Sequence, residues 1–121
     1  MVKLESLKKS YQFKKTLKEK KVHSDFFSIF ATKNFYKPKY KSNLLISFVM
    51  KKKIGNAVKR NKIRRKLKAI VQKLLKKRGA ISKDYTYIVF GKPNAYTQKQ
   101  TVLMPLMEQC FSKIKVKWWR Y

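Results

Sequence analysis

From Phe26 to Lys83 the chain contains no aspartate or glutamate. Any fold for this span has to bury its apolar residues while spreading lysine and arginine over a surface that repels itself. The rest of the chain does little to offset this. Thirty-three Lys and Arg face Glu5, Glu19, Asp25, Asp84 and Glu108, a formal net charge of +28. A folded chain so unbalanced is expected to meet a polyanion: RNA or DNA first, an anionic membrane surface second. The hydrophobic fraction of 44% and aromatic fraction of 14% argue for a folded core, because disordered segments are poor in aromatics. At 121 residues a single domain spanning 1–121 is expected, with one modest core.

Several classes fall away. The longest apolar run, Leu44–Met50, is far too short to span a bilayer. The N-terminal stretch MVKLESLKKSYQFKK lacks the apolar centre of a signal peptide, and it is Lys-rich where transit peptides are rich in Arg and Ser. Cys110 is a lone cysteine in an apolar helical pattern, which reads as a buried thiol in a reducing cytoplasm. Catalytic groups are scarce. A protein nuclease needs carboxylates for metal ions or a histidine pair for proton transfer. The single histidine, His23, lies in a polar segment and reads as a surface residue, and no two acids are close in sequence. Zinc-ligand spacing, a phosphate-cradling glycine loop and a nucleophile elbow are all missing from the sequence. No catalytic, cofactor or metal residues are assigned.

Periodicity outlines the fold. Ser10 is placed to cap a short helix running to about Lys21, with Phe13, Thr16 and Leu17 along one side. Phe26–Phe35 reads as a strand, YKPKYKSN as a basic turn, and Asn43–Met50 as a second strand covered on both faces. Ile63, Leu67, Ile70, Val71, Leu74 and Leu75 then recur at helical spacing. Gly79 closes that helix after Lys76, Lys77 and Arg78, cations suited to its negative end. Asp84 opens a third strand, DYTYIVFGK. A final helix carries Val102, Leu103, Leu106, Met107, Cys110, Phe111 and Ile114, and Pro105 predicts a kink or a late start within it. The expected class is α+β: a small mixed sheet packed with about three helices in a two-layer sandwich.

The long helix poses the sharpest question. Projected back one or two turns at 100° per residue, its apolar stripe lands on Asn56 and Arg60, with Arg64 on the margin. Asn61, Arg65 and Lys68 form the adjacent row, while Lys59, Lys62 and Lys66 point more nearly outward. Ten Lys and Arg stand among residues 51–68 with no acid between them, although like charges at helical spacing destabilise a helix. A solvated face does not account for that density. An RNA surface accounts for both the charge and the polar residues on the stripe, since arginine offers bidentate donors and asparagine a two-way amide.

The segment KKKIGNAVKRNKIRRKLK, Lys51–Lys68, closely resembles the signature of the bacterial ribonuclease P protein component, with its Gly-Asn-Ala-Val segment followed by Arg-Asn-Arg. The order of elements is similar along nearly the whole chain. The resemblance implies a ribosomal protein S5 domain 2-like fold with a left-handed βαβ crossover around the signature helix, where strand pattern alone favours the right-handed form. It further implies the protein subunit of a cytoplasmic ribonucleoprotein endonuclease that removes the 5′ leader from precursor tRNA. In that family a large RNA performs the Mg2+-dependent hydrolysis, so the partners implied are ribonuclease P RNA and precursor tRNA, with no membrane and no small-molecule substrate.

Carried over by position, the resemblance assigns catalytic-RNA binding to Lys52, Lys53 and Asn56 in the lead-in turn, to Arg60, Asn61 and Lys62 at the Arg-Asn-Arg positions, and to Arg64, Arg65 and Lys68 beyond them. It assigns leader binding to Phe13, Leu17 and Phe30, for which core packing is the alternative. There are departures. Lys62 keeps the charge of the usual Arg but loses its fork. Leu17 stands where a second aromatic is common, and FGKP replaces an Ala-Arg-type segment, so Lys92 either carries that charge or leaves it out. The competing reading is a structural ribosomal or general RNA-binding protein, which charge and size fit equally well.

Overall fold

The computed structural model describes residues 3–77 and 79–115. The order is β1 (Leu4–Glu5), α1 (Ser10–Lys18), β2 (Lys20–His23), β3 (Phe27–Lys33), β4 (Leu44–Val49), α2 (Ala57–Leu75), β5 (Tyr85–Gly91) and α3 (Gln100–Lys115). Short 3-10 turns at Lys52–Ile54 and Pro93–Tyr96 lead into α2 and α3. The strands form one mixed sheet in the order β1-β4-β5-β3-β2. β4 runs parallel to both β1 and β5, while β3 is antiparallel to β5 and β2. Thus α2 is the crossover between two parallel neighbours, and its start stands at one end of the sheet.

Strand alternation sorts the sheet into two unlike faces. Register places Ile46 and Ala31 on either side of Tyr87, and Phe48 and Ile29 on either side of Val89. Against this face pack Ile63, Leu67, Ile70, Val71 and Leu74 of α2 with Leu103, Met107, Phe111 and Ile114 of α3. All of these helix residues are buried, each Ile or Leu contributing roughly 1.5–3 kcal/mol. Tyr87 sits edge-on to Phe111 and donates from its hydroxyl to the Ser82 carbonyl at 2.8 Å. Burial pushes its pKa well up. Cys110 is buried in the same layer, and burial raises its thiol too. The other face is polar at its centre. Ser28, Thr32, Ser47 and Thr86 are buried there, and α1 lies across part of it through Gln12 and Thr16.

The structure corrects several boundaries. Ser10 is the first residue of α1 and Lys9 its N-cap, and Gln12 Oε1 reaches back to accept from the Lys8 and Lys9 amides. The helix stops at Lys18, because the following lysines pair as β2 with β3. α2 ends at Leu75, with Gly79 at φ +76° in the turn beyond. Lys76 is its C-cap, Lys77 reaches Glu108 of α3, and Arg78 lies outside the described residues. Of the kink or late start expected of α3, the late start does not occur. It begins at Gln100, ahead of Pro105, which lies on the exposed side of the helix, where a proline costs no packing. Val102, read as part of the apolar side, is 45% exposed.

Candidate nucleic-acid interface

The start of α2 is built by residues that sequence reasoning gave to RNA alone. Asn56 is the N-cap, its Oδ1 accepting from the Lys59 amide at 2.9 Å. Arg60 turns back along the helix and donates to the carbonyls of Lys52 (3.3 Å) and Gly55 (3.1 Å), tying the lead-in turn to the first turn of α2. Gly55 holds φ +149°, and a Cβ there would crowd the Lys59 side chain at 3.0 Å. The polar residues on the stripe's extension therefore have local work: one caps, one staples. The cap uses only the Asn56 oxygen, and the staple only one guanidinium nitrogen. The first turn contains no acid, so the positive end of the helix dipole adds to Lys52, Lys53, Lys59 and Arg60.

Beyond this turn the basic face runs along α2 as a strip. Asn61, Lys62, Arg65 and Lys68 are exposed and Arg64 is half-buried. Arg64 Nη1 donates to Asn61 Oδ1 at 2.6 Å, which orients both groups. Lys62 Nζ stands 4.7 Å from the centre of the Tyr96 ring and Lys59 Nζ 5.2 Å from it, so the lysine at the imperfect motif position has an aromatic support. Lys66 departs from expectation. It lies on the flank, donating to the carbonyls of Ala95, Tyr96 and Gln98, and so closes the turn before α3. Burial and then the charge of Lys62 lower its pKa, while the three carbonyls favour the ammonium form. Among the described residues no carboxylate pairs with any cation of the strip.

Two grooves open along one flank of α1. The larger, about 560 Å³, is lined by Leu17, Phe30 and Phe90, with His23, Ser28, Lys51, Lys53 and Lys92 around them. Phe30 meets Phe90 edge-on at 5.4 Å and His23 at 6.0 Å. His23 is exposed, and its Nδ1 lies 2.7 Å from Ser28 Oγ. Lys92 Nζ donates to the Ser24 carbonyl, so its charge sits at the rim on a fixed stem. Phe13 belongs to the second groove, beside Ser47, Phe48, Arg64 and Lys68. Phe13 and Leu17 are one helical turn apart, so the two grooves follow one another along α1. The structure brings Leu17, Phe30 and Lys53 together, and separately Phe13, Arg64 and Lys68. Neither Phe13 nor Phe30 is part of the buried core.

Sequence reasoning gave Phe90 and Ser28 no role, counted Lys51 only within the basic run, and read His23 as a surface residue, which its exposure bears out. Phe90 carried a usable signal: it alternates with Val89 on β5 and faces away from the apolar layer, as Phe30 does on β3. Two outward aromatics on neighbouring strands mark a surface with a use other than packing.

Comparison with known proteins agrees with this arrangement. The profile of the Ribonuclease P family matches residues 1–115. The ribonuclease P protein component of Mycoplasma capricolum is 29% identical over 109 residues, covering 90% of this chain and 94% of its own. That of Mycoplasma mycoides is 35% identical over 83 residues, covering 69% and 72%. Among solved structures, the RNase P protein of Thermotoga maritima superposes with a TM-score of 0.72 at 20% identity, covering 93% of this chain and 99% of that one. The RNase P protein of Staphylococcus aureus gives 0.67 at 24%, covering 92% and 95%. With a basic strip on a crossover helix, a mixed five-stranded sheet and a profile match along nearly its whole length, this chain belongs to the ribonuclease P protein family.

Proposed function

We propose that the chain is the protein subunit of a ribonuclease P ribonucleoprotein and assists removal of the 5′ leader from precursor tRNA. The lead-in turn and strip, from Lys52 to Lys68, bind the catalytic RNA through phosphates. Arg64 and Arg65 act as forked donors, and Lys52, Lys53, Lys62 and Lys68 as point charges. The grooves along α1 hold the single-stranded leader, with bases against Phe30, Leu17 and Phe13. A base stacked on an aromatic ring is worth roughly 1–3 kcal/mol without regard to sequence, which suits a leader of variable sequence. Lys51 and Lys92, at the rim of the larger groove, meet its phosphates.

The observation that carries this reading is the adjacency of an open aromatic floor and an unneutralised basic helix at one end of the sheet. Bond cleavage is assigned to the RNA subunit with its magnesium ions. Among the described residues no three His, Cys, Asp or Glu side chains converge. The chain's own work is to bind, orient and neutralise charge. The proposed place of action is the cytoplasm, and among the described residues no helix is long and apolar enough to cross a membrane.

The test is reconstitution. The purified chain is mixed with a ribonuclease P RNA and leader-bearing precursor tRNA at low magnesium, and 5′ maturation is followed. Cleavage that needs both RNA and protein is expected. No stimulation by the protein refutes the proposal, as does cleavage by the protein without the RNA.

A further inference from the structure

A second aromatic surface lies across α1 from the grooves. Gln12 and Thr16 face the sheet, with Phe13 and Leu17 to one side of that line and Tyr11 and Lys15 to the other. Tyr11 meets Phe35 edge-on at 6.3 Å, and Phe35 meets Tyr36 at 5.0 Å. Lys15 Nζ stands 5.4 Å from the Phe35 ring, and Lys39 Nζ 5.7 Å from the ring of Tyr40. Tyr11 is 55% exposed and Tyr40 60%, and among the described residues no other Phe or Tyr is so open.

The segment that presents these rings, between β3 and β4, is fastened at both ends. Asn34 donates to the carbonyls of Asp84 and Lys83 at 2.9 and 2.8 Å, and its side-chain oxygen accepts from Thr86. At the far end the Glu5 carboxylate accepts from the Lys39 amide and from Asn43 Nδ2, while the Asn43 amide closes on the Tyr40 carbonyl. The rings therefore stand on a fixed frame, which lowers the ordering cost of binding. Glu5 spends its oxygens on this frame. Lys15 and Lys39 stand beside the rings and Lys37 and Lys41 lie on the same segment, none with a carboxylate partner among the described residues.

Open π-faces interleaved with unpaired ammonium groups suit a ligand that alternates flat bases with phosphates. An apolar protein surface would have to desolvate those lysines without return. We propose that Tyr11, Tyr40 and the lysines around them form a second binding surface for single-stranded RNA, separated from the leader grooves by α1. Bases stack on the two exposed tyrosines and Phe35 braces Tyr11.

The test uses the full chain with a short oligouridine containing 5-iodouridine. Photocrosslinks are mapped by mass spectrometry and affinity is read by fluorescence anisotropy over a range of salt. Crosslinks to Tyr11 or Tyr40 are expected beside those in the groove. Tyr40→Ala, at an exposed ring, is expected to weaken binding about fivefold or more with the salt slope unchanged, and Tyr40→Phe to stay within twofold of wild type. Crosslinks confined to Phe30 and Phe90 overturn this surface while leaving the leader grooves standing. An Ala variant within twofold of wild type also overturns it, as does blunt duplex RNA competing as well as the single strand.

Discussion

Replacing Asn56 by Asp separates two tasks of one residue, because it moves stability and RNA affinity in opposite directions. A carboxylate oxygen keeps the cap on the Lys59 amide, now as a charge-assisted bond. It also places a negative charge at a helix start that has none, beside Lys52, Lys53, Lys59 and Arg60. A charge of favourable sign at a helix end is worth about 0.3–1 kcal/mol at low salt. At about 2 cal/mol/K of unfolding entropy per residue, that gain raises the Tm of a chain of this size by roughly 1–4 °C. Asn56→Ala, losing the cap, costs about 1 kcal/mol and lowers Tm by a similar interval. For RNA the sign reverses. A carboxylate about 4 Å from a phosphate costs about 1 kcal/mol even at the dielectric of water, so affinity falls roughly fivefold or more. Circular-dichroism melts and anisotropy titrations at low and high salt read the two effects. A lower Tm for the Asp variant refutes the electrostatic account of the helix start. Unchanged affinity shows that no phosphate comes near it.

Three further substitutions probe the frame. Gly91 ends β5 where a Cβ would lie 2.5 Å from Met50 Sδ and 2.9 Å from Ile63 Cγ2, so Gly91→Ala overpacks the junction of sheet and α2 and costs about 1–3 kcal/mol; an unchanged denaturant midpoint contradicts this. The Tyr36 hydroxyl is buried without a hydrogen-bond partner among the described residues, so Tyr36→Phe raises neutral-pH stability by about 1 kcal/mol, and a measured loss sinks the idea. Burial, then Glu5 and Tyr11, push that phenol from 10.0 to about 12. Between those values the unfolded chain releases a proton that the folded one keeps, so stability falls as pH rises through the window, and less steeply in the Phe variant. Lys66→Met strips the carbonyls of Ala95, Tyr96 and Gln98 of their shared donor and lowers stability by about 1–3 kcal/mol in thermal melts; an equal Tm denies Lys66 its structural role.

The long periodic elements were legible in the sequence because one face of each meets a continuous apolar layer. Ile63 to Leu74 repeats over several turns, and Tyr85, Tyr87 and Val89 alternate against Thr86, Ile88 and Phe90. β1 was not legible, since two residues carry no period. β2 was hidden for another reason: Lys20 and Lys21 are good helix formers with no breaker before them, and only pairing with β3 makes them a strand. On the candidate site, spacing located the basic strip. It could not show that the Asn56 oxygen and one Arg60 nitrogen are engaged in holding the turn, because such bonds depend on the carbonyls the turn brings near. Nor could it place Phe13 and Phe30 in separate grooves, which follows from how α1 crosses the sheet.

The central claim is that one surface holds the catalytic RNA while another reads the leader. Its most direct measurement compares the affinity of the reconstituted ribonucleoprotein for precursor tRNA and for mature tRNA, with wild-type protein and with Phe30→Ala. The account predicts that the wild-type protein favours the leader-bearing RNA. The variant is expected to lose roughly fivefold or more of that preference while its affinity for mature tRNA stays the same. A variant that weakens both RNAs alike, or neither, contradicts a leader-binding groove.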